Sequence, residues 1–201
     1  ATQVVTVIDN SAPTVQAPAN VTVASNVYCE AIGVNLGNPI ATDNCTENLT
    51  ITNNAPAVYP LGNTTVTWTI VDGAGNVTTV EQVVTVNDES APMVLLANTS
   101  VILDANGYAT IGFEDLDNGS VDNCGIASAV LSQSAFDCAN VGENFITVTV
   151  TDNSGNQSSA SVLVTVIASD ACGGDQWAGP SVPDAFTPRS EEHTSELQSL
   201  T

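Results

Sequence analysis

Among the side chains of this sequence, the carboxylates are the best candidates for a chemical role. Seven of them fall in loops that occur twice along the chain: Asp9, Asp43 and Asp72, and later Asp88, Glu89, Asp122 and Asp152. Carboxylates gathered without a basic partner repel one another and raise each other's pKa, unless a hard cation such as calcium neutralises them. Asp-Gly and Asp-Asn pairs also form turns with no ion present. The sequence therefore leaves two interpretations open, a calcium site in each set of loops or turn formation alone.

Apart from carboxylates, residues that could take part in catalysis are scarce. The one histidine, His193, and the one basic residue, Arg189, both lie near the C-terminal end. A Ser-His or Cys-His nucleophile or a histidine metal site cannot be built in the rest of the chain. Paired carboxylates could serve a glycosidase, but only beside a sugar-binding cleft. We predict that the chain is not an enzyme and that calcium is its one candidate cofactor.

Cysteines supply the second chemistry. Cys29 and Cys45 come early, Cys124 and Cys138 come later, and Cys172 follows them. We expect two short-range disulfides, one within each of the first two pairs, since closing a loop of roughly 15 residues contributes about 3 kcal/mol in the chain-entropy model. Buried free thiols are the alternative. Cys172 is expected to be unpaired, or to pair with a segment or chain not present here.

These residues recur because the whole sequence repeats at a spacing of 79 to 80 residues. Val5-Thr6-Val7 returns as Val84-Thr85-Val86, and Asp43-Asn44-Cys45 returns as Asp122-Asn123-Cys124. A fixed period indicates a duplicated folding unit. We expect the end of a preceding module in residues 1–8, module 1 in residues 9–87 and module 2 in residues 88–168.

The elements that must position these loops are β-strands. Residues 64–71 alternate, with Val66, Trp68 and Ile70 on one face and threonines on the other, and residues 146–151 follow the same pattern. Period-two alternation of Val, Ile and Thr predicts half-buried antiparallel strands. Further strands are predicted at 20–24, 30–36, 49–53, 77–86, 100–104, 108–113, 127–132 and 157–167.

About seven short strands per module, separated by turn residues, predict an all-β fold of tandem immunoglobulin-like β-sandwich modules. A jelly roll is the alternative. On an immunoglobulin-like topology the start of the module and two loops share one pole, and this brings the three acidic loops together. The acidic pole of module 2 would then face the end of module 1, where calcium would stiffen the joint.

Charge excludes several classes of partner. The chain has 22 acidic residues against one basic residue, for a formal net charge of −21. Such a surface repels nucleic acid and anionic membranes. No stretch approaches the roughly 20 apolar residues of a membrane helix, so we expect no membrane insertion. The chain begins without methionine or a signal peptide, and we expect it to be an internal fragment of a larger protein.

The motifs of both modules resemble the hyalin-type (HYR) repeat, an immunoglobulin-like module of extracellular proteins. The likeness runs from Asp-Asn-Cys, through Val-Thr-Val-Thr-Asp, to the terminal Val-Thr-Val. Module 2 is especially similar to the version found in large surface proteins of Bacteroidota, through Asp122-Asn123-Cys124-Gly125 and Asp152-Asn153-Ser154-Gly155-Asn156. The resemblance implies an adhesive or structural role and carries little information on a ligand.

Two further resemblances concern the C-terminal residues. Ser181 to Pro188 is similar to the start of a gliding-motility-associated C-terminal sorting domain, which implies type IX secretion to the cell surface. We therefore assign residues 169–188 to a linker and a truncated sorting domain. Residues 189–201 look like a translated sequencing adapter and are expected to be non-native.

Two functions are compatible with these observations. The first is a noncatalytic stalk, adhesin or fibre segment on a cell surface or in the extracellular space, possessing calcium-stiffened joints. Its partners would be neighbouring modules of the same chain, other copies in a fibre, or a surface glycan. The alternative is a carbohydrate- or ligand-binding module of a larger secreted enzyme or receptor. An exposed aromatic platform would favour that alternative, and Trp177, Tyr28, Tyr59 and Tyr108 are the large side chains that could form one.

Overall fold

The computed structural model describes residues 1–173. The expectations for residues 181–188 and 189–201 lie outside this part. The described residues form fourteen strands. In module 1 these are β1 (Thr14–Gln16), β2 (Val21–Ala24), β3 (Glu30–Ile32), β4 (Ile40–Thr42), β5 (Thr50–Asn53), β6 (Val58–Pro60), β7 (Gly62–Val71) and β8 (Val77–Asn87). In module 2 they are β9 (Thr99–Ile102), β10 (Ala109–Thr110), β11 (Ile126–Leu131), β12 (Ala135–Phe136), β13 (Gly142–Asp152) and β14 (Gln157–Ile167).

Module 1 is a sandwich of one four-stranded sheet and two short strand pairs. The sheet has the order β2-β8-β7-β5, in which β2 runs parallel to β8 and the other neighbours are antiparallel. The pairs β1-β4 and β3-β6 form the opposite layer. Val15, Ala31 and Tyr59 from that layer pack on Val66 and Val84 of the sheet. Strands β1 and β2, which follow one another along the chain, therefore belong to opposite layers.

Module 2 repeats this plan with a shorter second layer. Its sheet has the order β11-β13-β14-β9, again with one parallel pair, β14-β9. The opposite layer is reduced to the pair β10-β12 and two single bridges, Met93 to Val121 and Leu96 to Asp117. Leu116 and Phe136 fill the space between the layers. Each module therefore has an apolar core of its own.

The predicted fold class is confirmed, since the described chain is nearly all β and each module is a two-layer sandwich. Val66, Trp68 and Ile70 are buried as the alternation requires. The sequence prediction missed four strands, β1, β4, β6 and β12, because two or three paired residues are too few to show a period of two. Three single turns of 3-10 helix, at Phe113–Asp115, Cys138–Asn140 and Asp170–Cys172, interrupt the β structure. No helix among residues 1–173 has the length and apolarity that crossing a bilayer requires.

The cysteines pair differently from the sequence prediction. Cys29 is bonded to Cys124, across 95 residues and between the two modules, and Cys138 is bonded to Cys172. Cys45 is exposed and free, whereas Cys172, expected to be unpaired, has a partner. The expectation of short-range pairs rested on sequence separation alone. Instead, the Cys29–Cys124 bond joins the end of module 1 to module 2. The Cys138–Cys172 bond joins the end of module 2 to the segment that follows β14.

A buried polar side chain organises the core of module 1. Gln82 is fully buried on β8, where its Oε1 accepts a hydrogen bond from Trp68 Nε1 at 3.1 Å. Its Nε2 donates to the backbone oxygens of Ala19 and Leu36, at 2.6 and 2.9 Å. One amide therefore ties the sheet to two connections. At the matching position of β14, module 2 has Val162 instead.

We expect Gln82→Leu to destabilise module 1 by about 2 kcal/mol, because it leaves the buried Trp68 Nε1 without an acceptor, at about 1–3 kcal/mol, and removes the part-buried hydrogen bonds to Ala19 and Leu36. Urea unfolding in calcium-free buffer measures the loss. Glu81→Gln, on the exposed side of the same strand, is the matched control and should change stability by less than about 0.5 kcal/mol. Equal stability of the two variants would contradict this role for Gln82.

Candidate metal centres at the module poles

Three connections bring carboxylates to one pole of each module. In module 1, Asp9 precedes β1, Asp43 follows β4 and Asp72 follows β7. We call these three residues the outer triad. In module 2, Asp88 follows β8, Asp122 precedes β11 and Asp152 ends β13. We call Asp88, Asp122 and Asp152 the joint triad, because they lie where the modules meet.

Each triad has the dimensions of a cation site. One carboxylate oxygen from each member lies within 4.8 Å of the others, in both triads. Oxygens that bind one calcium ion at about 2.3–2.6 Å are at most about 5 Å apart, so this spacing fits a shared ion. Residues 1–173 contain no Lys, Arg or His that could neutralise the carboxylates. A hard divalent cation is therefore the chemically matched ligand.

The third member of each triad is locked in place by its own turn. Asp72 Oδ1 accepts hydrogen bonds from the backbone nitrogens of Ala74 and Asn76, at 2.9 and 2.8 Å, and Oδ2 accepts from Asn76 Nδ2 at 2.7 Å. Asp152 has the same arrangement with Ser154 and Asn156.

These turns also set the charge state of the aspartates. Burial opposes the ionisation of Asp72 and Asp152, but the hydrogen bonds from Asn76 and Asn156 outweigh it and hold the pKa of both carboxyls below the ordinary value. Both side chains are therefore fixed and charged near neutral pH, as metal ligands must be.

The other members keep oxygens free. Asp9 Oδ2, Asp43 Oδ1 and Asp88 Oδ2 are buried atoms with no hydrogen-bond partner. Asp88 is the most informative of the three, because the residue is only 8 % exposed. A buried polar atom without a hydrogen-bond partner costs about 1–3 kcal/mol, and a charged one costs more. A cation in the triad would remove that cost.

The joint triad is hydrogen-bonded to module 1. Asn123 Nδ2 lies 3.2 Å from Asp88 Oδ1, 3.1 Å from Ser25 Oγ and 3.1 Å from the backbone oxygen of Asn26. Ser25 Oγ also donates to Asp88 Oδ1 at 3.3 Å. The Cys29–Cys124 disulfide closes the same contact covalently. The acidic pole of module 2 thus faces the end of module 1.

The structure therefore brings together six of the seven predicted carboxylates. Glu89 is exposed and lies outside the joint triad. Sequence reasoning did not single out Asn76, Asn123 or Asn156, which orient the triads. The available signal was the repeat itself, since Asn76 and Asn156 end matching turns and Asn44 and Asn123 precede matching cysteines.

Cys45 borders the outer triad. Partial desolvation and the negative charges of Asp9, Asp43 and Asp72 raise the pKa of its thiol. Its backbone nitrogen donates to Asp43 Oδ2 at 2.9 Å, just as Cys124 donates to Asp122 Oδ1 at 2.8 Å. The two cysteines therefore occupy equivalent positions beside equivalent triads.

The aromatic residues proposed for a sugar platform separate into two groups. Tyr59 is buried, with 2 % exposure, and belongs to the core together with Trp68. Tyr28 and Tyr108 are exposed. Tyr28 directly precedes the cysteine that bonds to module 2, which places it at the joint. Trp177 lies outside the described residues.

Comparison with curated proteins supports the resemblance to a hyalin repeat. The chain is 31% identical over 173 residues to hyalin of Strongylocentrotus purpuratus. It is similar to hyalin. The hyalin of Lytechinus variegatus is also 31% identical, over 195 residues. The matches cover 81% and 92% of this chain, which spans only 14% and 36% of the two hyalins.

Neither relative supports the Bacteroidota origin or the sorting domain expected from the sequence. No protein-family model matches the chain. Among solved structures, human mucin-like protocadherin EC1-2 aligns over 78% of this chain and 98% of its own, with 14% identity and a TM-score of 0.42. Drosophila N-cadherin EC1-4 aligns over 78% of this chain and 49% of its own, with 14% identity and a TM-score of 0.39.

The opposite pole of each module is a tight turn with its own side-chain acceptor. In module 1, Asn26 Oδ1 accepts from the backbone nitrogen of Tyr28 at 2.8 Å. In module 2, Asp104 Oδ1 accepts from those of Asn106 and Tyr108, at 2.8 and 2.9 Å. The bonds from Tyr108 and Asn106 lower the pKa of Asp104. The Asn26 amide and the Asp104 carboxylate thus accept equivalent backbone hydrogen bonds, but only the carboxylate can be protonated as the pH falls.

This difference predicts a pH dependence. A carboxyl whose pKa is lowered by folding stabilises the protein fully above its unfolded pKa of about 3.9, and this stabilisation disappears as the pH falls through the folded value. Asp104→Asn should therefore be less stable than the parent at pH 7, and the difference should shrink on acidification to about pH 2. Urea unfolding at both pH values, in chelator, measures it. Glu81→Gln controls for the change in net charge, and a difference that grows with acid would contradict the assignment.

Proposed function

We propose that this chain is a noncatalytic structural or adhesive segment of an extracellular hyalin-type repeat protein, in which calcium bound by the joint triad and the outer triad stiffens the connections between modules. The array transmits force or sets spacing, and its surfaces are available to neighbouring modules, other copies or glycans. Both the sequence likeness to hyalin and the repetition of one sandwich support this function.

The observation that carries the proposal is the buried, unpartnered Oδ2 of Asp88 inside the joint triad. Asp88 is the first residue after β8, so its backbone belongs to the chain that connects the two modules. An ion held by Asp88, Asp122 and Asp152 would join this connection to two loops of module 2. Bending at the connection would then require breaking metal-ligand bonds.

The residues of the joint prepare it for such an ion. Asn123 reaches from the triad to Ser25 and Asn26 of module 1, so ordering the triad also orders the contact between the modules. When bound, calcium supplies the positive charge that residues 1–173 lack in their side chains. Water can complete the six to eight oxygens that calcium prefers. Asp152, whose oxygens are already fixed by Asn156, needs no rearrangement to take part.

The cysteines favour an oxidising compartment. Two disulfides among five cysteines are typical of secreted and surface proteins and rare in reducing cytosol. A secreted protein also meets millimolar calcium, which is enough to fill the weak sites found in extracellular modules. Localisation outside the cell and calcium stiffening therefore support each other.

Thermal unfolding in calcium and in chelator tests the proposal. An ion bound only by the folded state stabilises by about 1.4 kcal/mol at ten times its Kd, so we expect millimolar calcium to raise the midpoint by at least about 5 °C. Asp88→Asn and Asp122→Asn should each lose most of the part of this rise that belongs to module 2.

Glu89→Gln is the matched control, since it removes the same charge one residue from Asp88 but outside the triad. It should keep the full calcium response. An absent shift in the parent chain, or an equal loss in Asp88→Asn and Glu89→Gln, would contradict a site built from the joint triad.

A further inference from the structure

Cys45 stands where its counterpart in module 2 makes a covalent joint. The elements Asp43-Asn44-Cys45 and Asp122-Asn123-Cys124 match residue for residue. In both, the aspartate accepts from the cysteine backbone, and the asparagine Nδ2 lies near the cysteine sulfur, at 3.1 Å in module 1 and 3.4 Å in module 2. Yet Cys124 is bonded to Cys29, whereas Cys45 is free and exposed.

The surroundings of the two cysteines differ in the same way. Asn123 and Cys124 are half-buried against module 1, but Asn44 and Cys45 are exposed. Asp9 Oδ2 and Asp43 Oδ1 beside Cys45 are buried and have no hydrogen-bond partner. The pole of module 1 therefore has the same set of residues as the joint, but no other module among the described residues packs against it.

Residues 3–7 identify what fits there. Their sequence, Gln-Val-Val-Thr-Val, is identical to residues 82–86 at the end of β8. Val84 and Val86 are 0% and 1% exposed in their sandwich, whereas the matching Val5 and Val7 are 75% and 87% exposed. Residues 3–7 thus have the sequence of a buried last strand and no sheet around them.

The position of Cys29 follows from that last strand. Strand β2 runs parallel to β8, with Ala24 opposite Asn87, and the backbone nitrogen of Ser25 donates to the oxygen of Asn87 at 2.7 Å. The turn that carries Cys29 is thereby held next to the residue that precedes Asp88. In a module that ends with residues 3–7, the same turn would lie next to Ile8, and so next to Asp9 and Cys45.

We infer that Cys45 forms a disulfide with a cysteine of a preceding module, placed in the turn after that module's second strand as Cys29 is placed in module 1. The inference rests on the repeat array of the proposed function but not on calcium. Both thiols give up a proton and an electron as the sulfur–sulfur bond forms, and a low-molecular-weight disulfide takes up two of each and is reduced to two thiols. The bond would extend the covalent linkage of modules beyond module 1.

Not every module can donate such a cysteine. The position of Cys29 corresponds to Gly107 in module 2, and these residues share a positive φ, of 60° and 83°. A Cβ at Gly107 would lie 2.9 Å from Cys138 Sγ. Cys138 and Cys172 thus take over that pole and bind the segment that follows β14.

The test supplies the missing module. A copy of residues 9–87 is joined directly to Asp9 of the full chain, replacing residues 1–8, and the copy carries Cys45→Ser so that one thiol is in question. Both chains are refolded in a glutathione redox buffer containing chelator, and free thiols are alkylated and located by mass spectrometry. The parent should show one alkylated residue, Cys45. The extended chain should show none, with Cys29 of the copy linked to Cys45.

Cys29→Ser in the copy is the matched control and should restore one alkylated Cys45 per chain. A folded copy beside an alkylated Cys45 would overturn the inference, and hydrogen exchange shows whether the copy is folded. If it is not, residues 1–87 followed by a second copy of residues 9–87 decide the question. There the Cys45 of that copy faces a native module 1 and should pair with its Cys29. If it stays free, the inference fails. Because chelator is present throughout, this result is independent of whether calcium binds.

Discussion

The repulsion among three converging carboxylates is the constraint on which the joint of this protein depends. The strand topology forces Asp88, Asp122 and Asp152 to one pole, and residues 1–173 offer no basic side chain to balance them. Asparagines fix the orientation of these carboxylates, since Asn156 donates a hydrogen bond to Asp152 and Asn123 donates one to Asp88. Charge itself is not neutralised by amides. A bound hard cation would relieve the repulsion and would also use the buried free oxygen of Asp88.

The joint also has a covalent link. The Cys29–Cys124 disulfide lies beside the triad and joins the turn of one module to the loop of the next. A bond alone fixes one point and leaves rotation about it, whereas an ion with three ligands on different connections constrains orientation. The disulfide and a bound ion would therefore restrict different motions. Module 2 meets the segment after it in a different way, with Cys138–Cys172 placed against Gly107, so its far pole is tied to its own continuation.

Much of this arrangement could be predicted from the sequence. The long strands β7, β8, β13 and β14 are evident from their alternation, and the repeat places three acidic loops at one pole of an immunoglobulin-like sandwich. Four strands of the second layers, β1, β4, β6 and β12, could not be predicted, because each contains only two or three paired residues. The cysteine pairing was missed for a different reason. Separation along the chain favours Cys29 with Cys45, but those residues lie at opposite poles of one module, and only the stacking of modules brings Cys29 to Cys124.

The most direct test of the account is a crystal of the chain grown with calcium and then exchanged into a lanthanide, examined by anomalous difference density. The account predicts one peak among the carboxylates of Asp88, Asp122 and Asp152, at bonding distance from Asp88 Oδ2, and a second peak in the outer triad. Full-strength density for water at the joint triad, with no anomalous signal at saturating lanthanide, would contradict it. The acidic loops would then be turns whose charge is balanced by solvent alone.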